Sequence, residues 1–577
     1  MATNNPKTAR DHISVTGFGG IADHAGLALD AATDVRNFRI LSDGSLEKRC
    51  GYLKRFSFSQ PLRGLWEGVV GGESYLFAVA GNQIFVRLPG TSNIRTIYTM
   101  TTSEGAVSFF LYRNQLWLLD GTTLLLFRHA VQKFAIAQGY VPLYGRNWHP
   151  TSLGEVNEPL NLVRNEIRIH YYNTNGSTTF NLPFTTQALR RVSVNGMNIT
   201  SYTFKAGTSY FSIPTSYASL GNVEVYATLD PVFSGRETVL GSMRSKVFRT
   251  PHHETAMLYG SQKAGYLLYR TSPVSDEMLE ECSISAADAD HFYVAKDTAF
   301  AVGSAAHPVT DLCQQEDQML VFSDESMWAI RYPEDHSNDA EIYPLRAGLG
   351  CTTPGGVVLG GKYPIVSTSA GVARLKFSAS DPDFCETEIL SSNIRNSLTR
   401  DYLQYAILFW DEFREELWVR NILDPSGSVY IYAPERDVWF RFDNIHATRF
   451  FMLDGAIGFT NETAIFSFAE TQKTDSGSVI TAAYASHFLN LSRMSAPRRS
   501  LRLSVVTQDD GNTLTTQIQT ERASKAIQLR ASTTTSGIPI RFDRRLAMGR
   551  FRLLRYVISS NGQSRCRIFS YSIAANP

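Results

Sequence analysis

A doublet of apolar strands joined by a tight turn recurs seven times along this chain of 577 residues, and no other feature limits its fold as strongly. The copies lie at 75–88, 114–129, 256–271, 317–333, 363–377, 415–442 and 451–468. Residues 75–88 read YLFAVAGNQIFVRL, with Gly81-Asn82 as the turn. Residues 114–129 read NQLWLLDGTTLLLFRH, with Asp120-Gly121 as a strong type I′ hairpin signal. Successive copies begin about 36 to 61 residues apart, except for one gap near 140 residues between the second and third. One such hairpin cannot bury both of its faces, so small antiparallel sheets at this spacing predict the stacked blades of a β-propeller. Unrelated hairpins in a two-sheet sandwich are the competing reading.

Composition agrees with β structure. At 43% apolar and 19% charged residues the chain is globular, and its length exceeds what one core supports. The 34 Phe, 26 Tyr and 7 Trp favour strands. A net charge of +1 excludes a general polyanion binder. The opening MATNNPKTARDHIS has no apolar stretch of the secretory type, and no run approaches 18 apolar residues. Six scattered cysteines without a CxxC pair exclude a zinc ribbon and read as free thiols of a protein made in a reducing cytoplasm.

The long gap holds a different module. Between 157 and 231 the chain alternates as short strands, with Asn195-Gly196 as a hairpin turn and Val192/Val194 and Val223/Val225 as half-buried positions. This predicts a small β-sandwich inserted through a blade loop. The end of the chain differs again: from Arg493 onward there are 15 Lys+Arg and 4 Asp+Glu, a net +11, leaving −10 for the preceding 492 residues. The expected all-β organisation is therefore N-terminal strands and first blades over 1–150, the inserted sandwich over 151–235, further blades over 236–490 and a basic β domain over 491–577.

Signs of catalysis are weak, and no enzyme activity or cofactor is expected. No GxSxG, HExxH, P-loop or GxGxxG occurs, nor the Asp-box of sialidase-type propellers; Ser42-Asp43-Gly44-Ser45 reads as a turn. His252-His253, taken as strand neighbours, would point to opposite faces and not share a metal, and His291 and His307 cannot be placed. Asp381 and Asp383 with Glu386 and Glu388 could clasp calcium, but a solvated loop is the better reading. Trp117, Trp328, Trp418 and Trp439 near the hairpins read as blade packing. The remaining candidates are basic residues of the C-terminal domain: Arg498, Arg499, Arg544 and Arg545 as interface or channel residues. Arg541, Arg544, Arg545, Arg550, Arg552 and Arg555 alternate along strands, which predicts several on one sheet face. That face could contact DNA, an acidic partner or the chain's own acidic body, and docking is preferred because Arg suits carboxylate pairing.

The N-terminal stretch carries a resemblance. Phe18-Gly-Gly-Ile21, then 27–40 (LALDAATDVRNFRI) and 41–52 (LSDGSLEKRCGY), follow the form small-residue run, DxxNF, hydrophobic, DGxLxKRxGY. This resembles the start of tail-nozzle proteins of short-tailed bacteriophages, also called tail tubular protein B or packaged-DNA stabilisation proteins. The next segment, LRGLWEGVVGGESYLFAVAGNQIFV, looks like their first blade, and the insert is similar to a small β module of phage fibre and tail proteins. The resemblance covers residues 15–130 and 155–232. It implies a virion structural protein of the tail, assembled in the bacterial cytoplasm as a ring, a homohexamer, docked beneath an adaptor ring. It further implies contact with tail fibres or tip proteins, retention and passage of double-stranded DNA, and no stable membrane insertion. A receptor-binding or polysaccharide-binding tail protein is the alternative. Val35, Phe38, Ile40, Leu46 and Tyr52 are expected as edge strands that close the propeller.

Overall fold

The structure, a computed structural model, describes residues 11–23, 30–152, 154–172, 176–218, 221–230, 235–274, 292–296, 298–333, 339–345, 349–378, 384–490, 498–509, 513–530, 538–563 and 565–576. The chain is all-β, with propeller-type blades, an inserted β domain and a C-terminal β domain. It forms two compact bodies: Met1–Leu62, Asp324–Met327 and Leu345–Pro577 in the first, Arg63–Ser323 and Trp328–Pro344 in the second.

The second body carries four blades, each a four-stranded antiparallel meander, and the insert. In blade 2, Gln115–Leu119 pairs with Ser108–Tyr112 and Leu124–Arg128. All of Leu116–Leu119 is buried, because the strand lies between two cores. Leu116 and Leu118 pack with Tyr75, Phe77 and Val79 of blade 1, while Trp117 and Leu119 pack with Ala256 and Leu258 of blade 3. Burial on both faces explains why these inner strands read as unbroken apolar runs rather than alternating ones. Each buried leucine contributes about 1.5–3 kcal/mol. Every one of the seven hairpins recognised in the sequence supplies the inner strands of one blade.

The insert begins earlier than residue 151: Leu143–Trp148 already pairs, in parallel, with Glu166–Tyr171. Its layers are hydrogen-bonded through one long strand, Thr179–Val194, which joins Thr208–Ser212 by its first part and Val223–Leu229 by its second. Register shifts along that strand bend it, as bulges do. Val192 faces Val225 and Val194 faces Val223, all buried in one core with Trp148, Tyr171, Phe180 and Phe211. At the predicted turn Asn195 and Gly196 both have positive φ, 48° and 78°, which an Asn-Gly pair tolerates.

The first body holds three blades and the C-terminal domain, and here the expectations need correction. Only Tyr52–Ser57 closes a blade, as the fourth strand beside Ala464–Phe468. The other N-terminal strands belong to the C-terminal domain. Asp11–Val15 and Leu46–Lys48 both pair with Cys566–Asn576, and Phe38–Ile40 pairs with Leu46–Lys48. Ala32–Arg36 pairs with Ala482–Ser486 and meets Val438–Phe442 of blade 6 through the bridge Arg36–Arg441. The domain is thus two sheets built from both ends of the chain, and one of them continues into blade 6. Blades end at Phe468 rather than near 490, since Ala482–Ser486 already belongs to this domain.

The motif at 37–52 is the staple that makes this arrangement possible. Asn37 sits at φ 53°, donates from Nδ2 to the Thr481 carbonyl at 2.8 Å, and accepts at Oδ1 from Arg49 Nε and the Asp443 amide. Buried Lys48 donates to the Gly562 carbonyl at 2.6 Å. Arg49 forms a two-pronged ion pair with Asp475. Gly51 passes so near the Thr474 carbonyl that a Cβ there would lie 1.9 Å from its oxygen. Tyr52 donates to the Asn444 carbonyl at 2.8 Å and stands edge-on to Phe459, Phe466 and Phe468. Burial pushes its phenol up to about 12.

Candidate interaction surface

Arg544 and Arg545 lie on Ile540–Phe551, which ends the sheet order Phe38–Ile40, Leu46–Lys48, Cys566–Asn576, Arg498–Asp509, Ile540–Phe551. An edge strand has free backbone groups on one side, and charged side chains are the usual guard against adventitious pairing. Both residues are exposed, but being adjacent in a strand they point to opposite faces. The expectation of one arginine face is corrected accordingly: Arg541 and Arg545 share one face and Arg544 lies on the other. Arg498 and Arg499 begin the neighbouring strand, with Arg498 opposite Phe551; their side chains lie outside the described residues.

Part of the basic charge is spent on pairing within the first body. Asp543 lies 3.5 Å from Arg502 and 3.3 Å from Arg541. Arg567 pairs with Asp43 of the N-terminal hairpin at 2.5 Å and donates to Ser45 Oγ at 2.8 Å. Hydrogen bonding to Ser45, with the Arg567 charge, holds the Asp43 carboxyl below its ordinary value. Arg565 reaches Glu470 beside blade 7, and Arg555 donates to the Ser486 carbonyl at 3.1 Å. What remains is a run of exposed arginines along the edge strand and just past it. The guanidinium of Arg544 bonds only its neighbour's carbonyl, and those of Arg545, Arg550 and Arg552 have no partner among the described residues, all four being exposed.

Sequence reasoning missed the cleft of 400 Å³ behind the staple, lined by Arg39, Arg49, Cys50, Arg414, Trp418 and Arg565 among others. Arg39 grips Glu416 by both carboxylate oxygens at 2.5 Å, and burial holds that carboxyl above its ordinary value against the pull of Arg39. Arg414 and Arg565 converge on Glu470. With each of these cations matched by a carboxylate, the cleft is an ionic joint. The trace of it in the sequence is Glu47-Lys48-Arg49-Cys50, since the carboxylates that pair with its arginines, Glu416, Glu470 and Asp475, lie more than 350 residues further along.

The other candidates resolve simply. His252 and His253 sit in the turn between Arg244–Arg249 and Glu254–Tyr259, not in a strand, and the His253 ring stacks on Tyr332 at 3.9 Å. Asp381, Asp383 and His291 lie outside the described residues; Glu388 pairs with Arg374 and Lys376. Trp117, Trp418 and Trp439 are buried between strands and Trp328 is half-buried. Cys50, Cys313, Cys351, Cys385 and Cys566 are free thiols. Among the described residues no helix is long and apolar enough to cross a membrane.

No family model matches the chain, and no curated protein matches it. Among solved structures, the crystal structure of BBS1N in complex with ARL6DN, soaked with mercury, is similar over 73% of this chain and 98% of that one, at 12% identity and a TM-score of 0.34.

Proposed function

We propose that this chain is a structural protein of a phage tail: a nozzle that closes the distal end, retains packaged DNA and forms the conduit for its ejection. The observation that carries the reading is the motif Asn37–Tyr52, the part of the sequence with the most specific resemblance to tail-nozzle proteins. Its residues line the ionic cleft and bind strands from early and late in the sequence into one ionic and hydrogen-bonded joint. A protein that must hold against internal pressure gains from such a joint, because load on one element passes directly into others. The exposed Arg544, Arg545, Arg550 and Arg552 are then docking residues for a neighbouring copy in a homohexameric ring or for the adaptor. Gripping DNA is the weaker use, since each phosphate contact in a conduit must be broken during passage.

Electron cryomicroscopy of virions whose genome encodes this chain tests the proposal. An axial ring of this chain at the tail tip, with density for DNA above it, is the expected result. Three-fold spikes built from the chain, or its absence from the particle, overturns it.

A further inference from the structure

Two strand edges of the first body are open and opposite in charge. Ile540–Phe551 ends its sheet and is paired on one side, with Arg498–Asp509. Cys385–Ile389 is the outer strand of blade 5 and is likewise paired on one side, with Gly371–Phe377. An open edge is a template for a further strand, and its charge decides which strand it accepts. Ile540–Phe551 carries four arginines against one aspartate. Cys385–Ile389 carries two glutamates and no cation, and no other blade has an outer strand with two carboxylates.

One charge on each edge is available. Arg544 bonds only the Asp543 carbonyl, and it stands in the same row as Phe542 and Leu546, half-buried residues that pack against the core. Glu388 is engaged by Arg374 and Lys376, but Glu386 is exposed and forms no ion pair among the described residues. Phe384, on the same face as Glu386, is 49% exposed. Placing Glu386 opposite Arg544 sets Phe384 opposite Leu546 if the strands run antiparallel, and opposite Phe542 if they run parallel. Either direction therefore joins an ion pair to an apolar contact across one strand pair. Two basic edges set side by side would instead crowd arginine against arginine. The same charges that guard this edge against a like strand invite an acidic one.

We propose that the edge Ile540–Phe551 of one copy takes Cys385–Ile389 of a second copy as an added strand, with Arg544 facing Glu386. Within one copy the two edges belong to different sheets and are not paired with each other. The two surfaces differ, so the contact is heterologous and repeats from copy to copy until it closes a ring or runs on as a filament. The choice of a second copy over another acidic strand rests on the proposed ring as well as on this match of charge.

Sedimentation of the full chain at micromolar to submillimolar concentration tests it. The parent should associate at low salt and dissociate as salt is raised. Arg544→Glu and Glu386→Arg should each weaken association at least about tenfold while melting like the parent. An equimolar mixture of the two variants should associate again, because in alternation each altered edge meets its opposite charge. Should a reversal lower the melting temperature, Arg544→Gln and Glu386→Gln read the same contact through a smaller loss. The inference is overturned if the parent stays monomeric, if either variant associates as the parent does, or if the mixture stays dissociated. Virions without an axial ring of this chain would overturn the nozzle reading and leave this contact standing, whereas a monomeric parent overturns the contact alone.

Discussion

Arg49 and Asp475, 426 residues apart, face each other through two hydrogen bonds of 2.8 and 2.6 Å, with each side chain only 2% exposed. Attraction at this depth must offset the desolvation of two charges, and it does so because Asn37 and the Asp443 carbonyl take further guanidinium protons and Asn444 donates to Asp475. Replacing either partner alone strands the other. Arg49→Met or Asp475→Asn should cost about 3–5 kcal/mol, while the double replacement Arg49→Met with Asp475→Leu should cost less than the sum of its parts. Denaturant unfolding of the four proteins measures the coupling.

Tyr52 separates packing from hydrogen bonding at the closing strand. Tyr52→Phe removes the bond to Asn444 and should cost about 0.5–1.5 kcal/mol, whereas Tyr52→Ala also empties a site ringed by three phenylalanines and should cost about 3–5 kcal/mol. Equal losses from the two variants in urea unfolding would show that the ring contacts add nothing.

Gly51→Ala should be more damaging than its size suggests. The added methyl would meet the Thr474 backbone rather than a movable side chain, so the hairpin at 474–479 must retreat from the closing strand. The expected readout is faster amide exchange across Tyr52–Ser57 and Ala464–Phe468, with blade 2 unaffected.

Charge reversal at Arg544 and Arg545 should leave folding within about 0.5 kcal/mol, as for exposed residues that form no ion pair among the described residues. On the proposed function, incorporation into virions fails when Arg498 and Arg499 are reversed as well. Particles that assemble normally but leak or fail to eject DNA would assign these residues to the channel instead.

Acid should loosen the clamp between Asp43 and Arg567. The Asp43 carboxyl is held below 3.8 in the folded protein, so its contribution is complete above that value and is lost as pH falls through the lower, folded value. Asp43→Asn should remove this part of the acid sensitivity. Melting temperatures of parent and variant between about pH 5 and pH 2.5 should converge towards the acid end.

The blades were legible because a blade is local. Asp120-Gly121 sets the turn of blade 2 within a few residues, as Asn195-Gly196 does for the insert, and the apolar runs of the blades follow from burial on two faces. The N-terminal strands were legible as strands but not as to partner. Nothing in the period of Phe38, Ile40 and Leu46 distinguishes a propeller edge from a sheet with residues 566–576, because pairing over such distances depends on the whole core. Arg544 and Arg545 show a smaller failure of the same kind. Counting arginines along a strand gave the charge of the region, yet adjacency sends these two to opposite faces.

The pairing of Asp11–Val15 with Cys566–Asn576 sets a timetable for synthesis. Asp11–Val15 waits for a partner strand that begins about 555 residues later in the chain, roughly half a minute to two minutes of synthesis at ~5–20 residues per second. Throughout that interval the blades can form from strands already made, while Ala32–Arg36 waits for Ala482–Ser486 and Leu46–Lys48 has only Phe38–Ile40 beside it. Premature release, or a nascent chain nearby offering its own 566–576 strand, would turn the same pairing into an exchange between molecules. Yield of correctly folded protein should therefore depend on translation rate and chaperone supply more than the stability of the finished molecule would suggest.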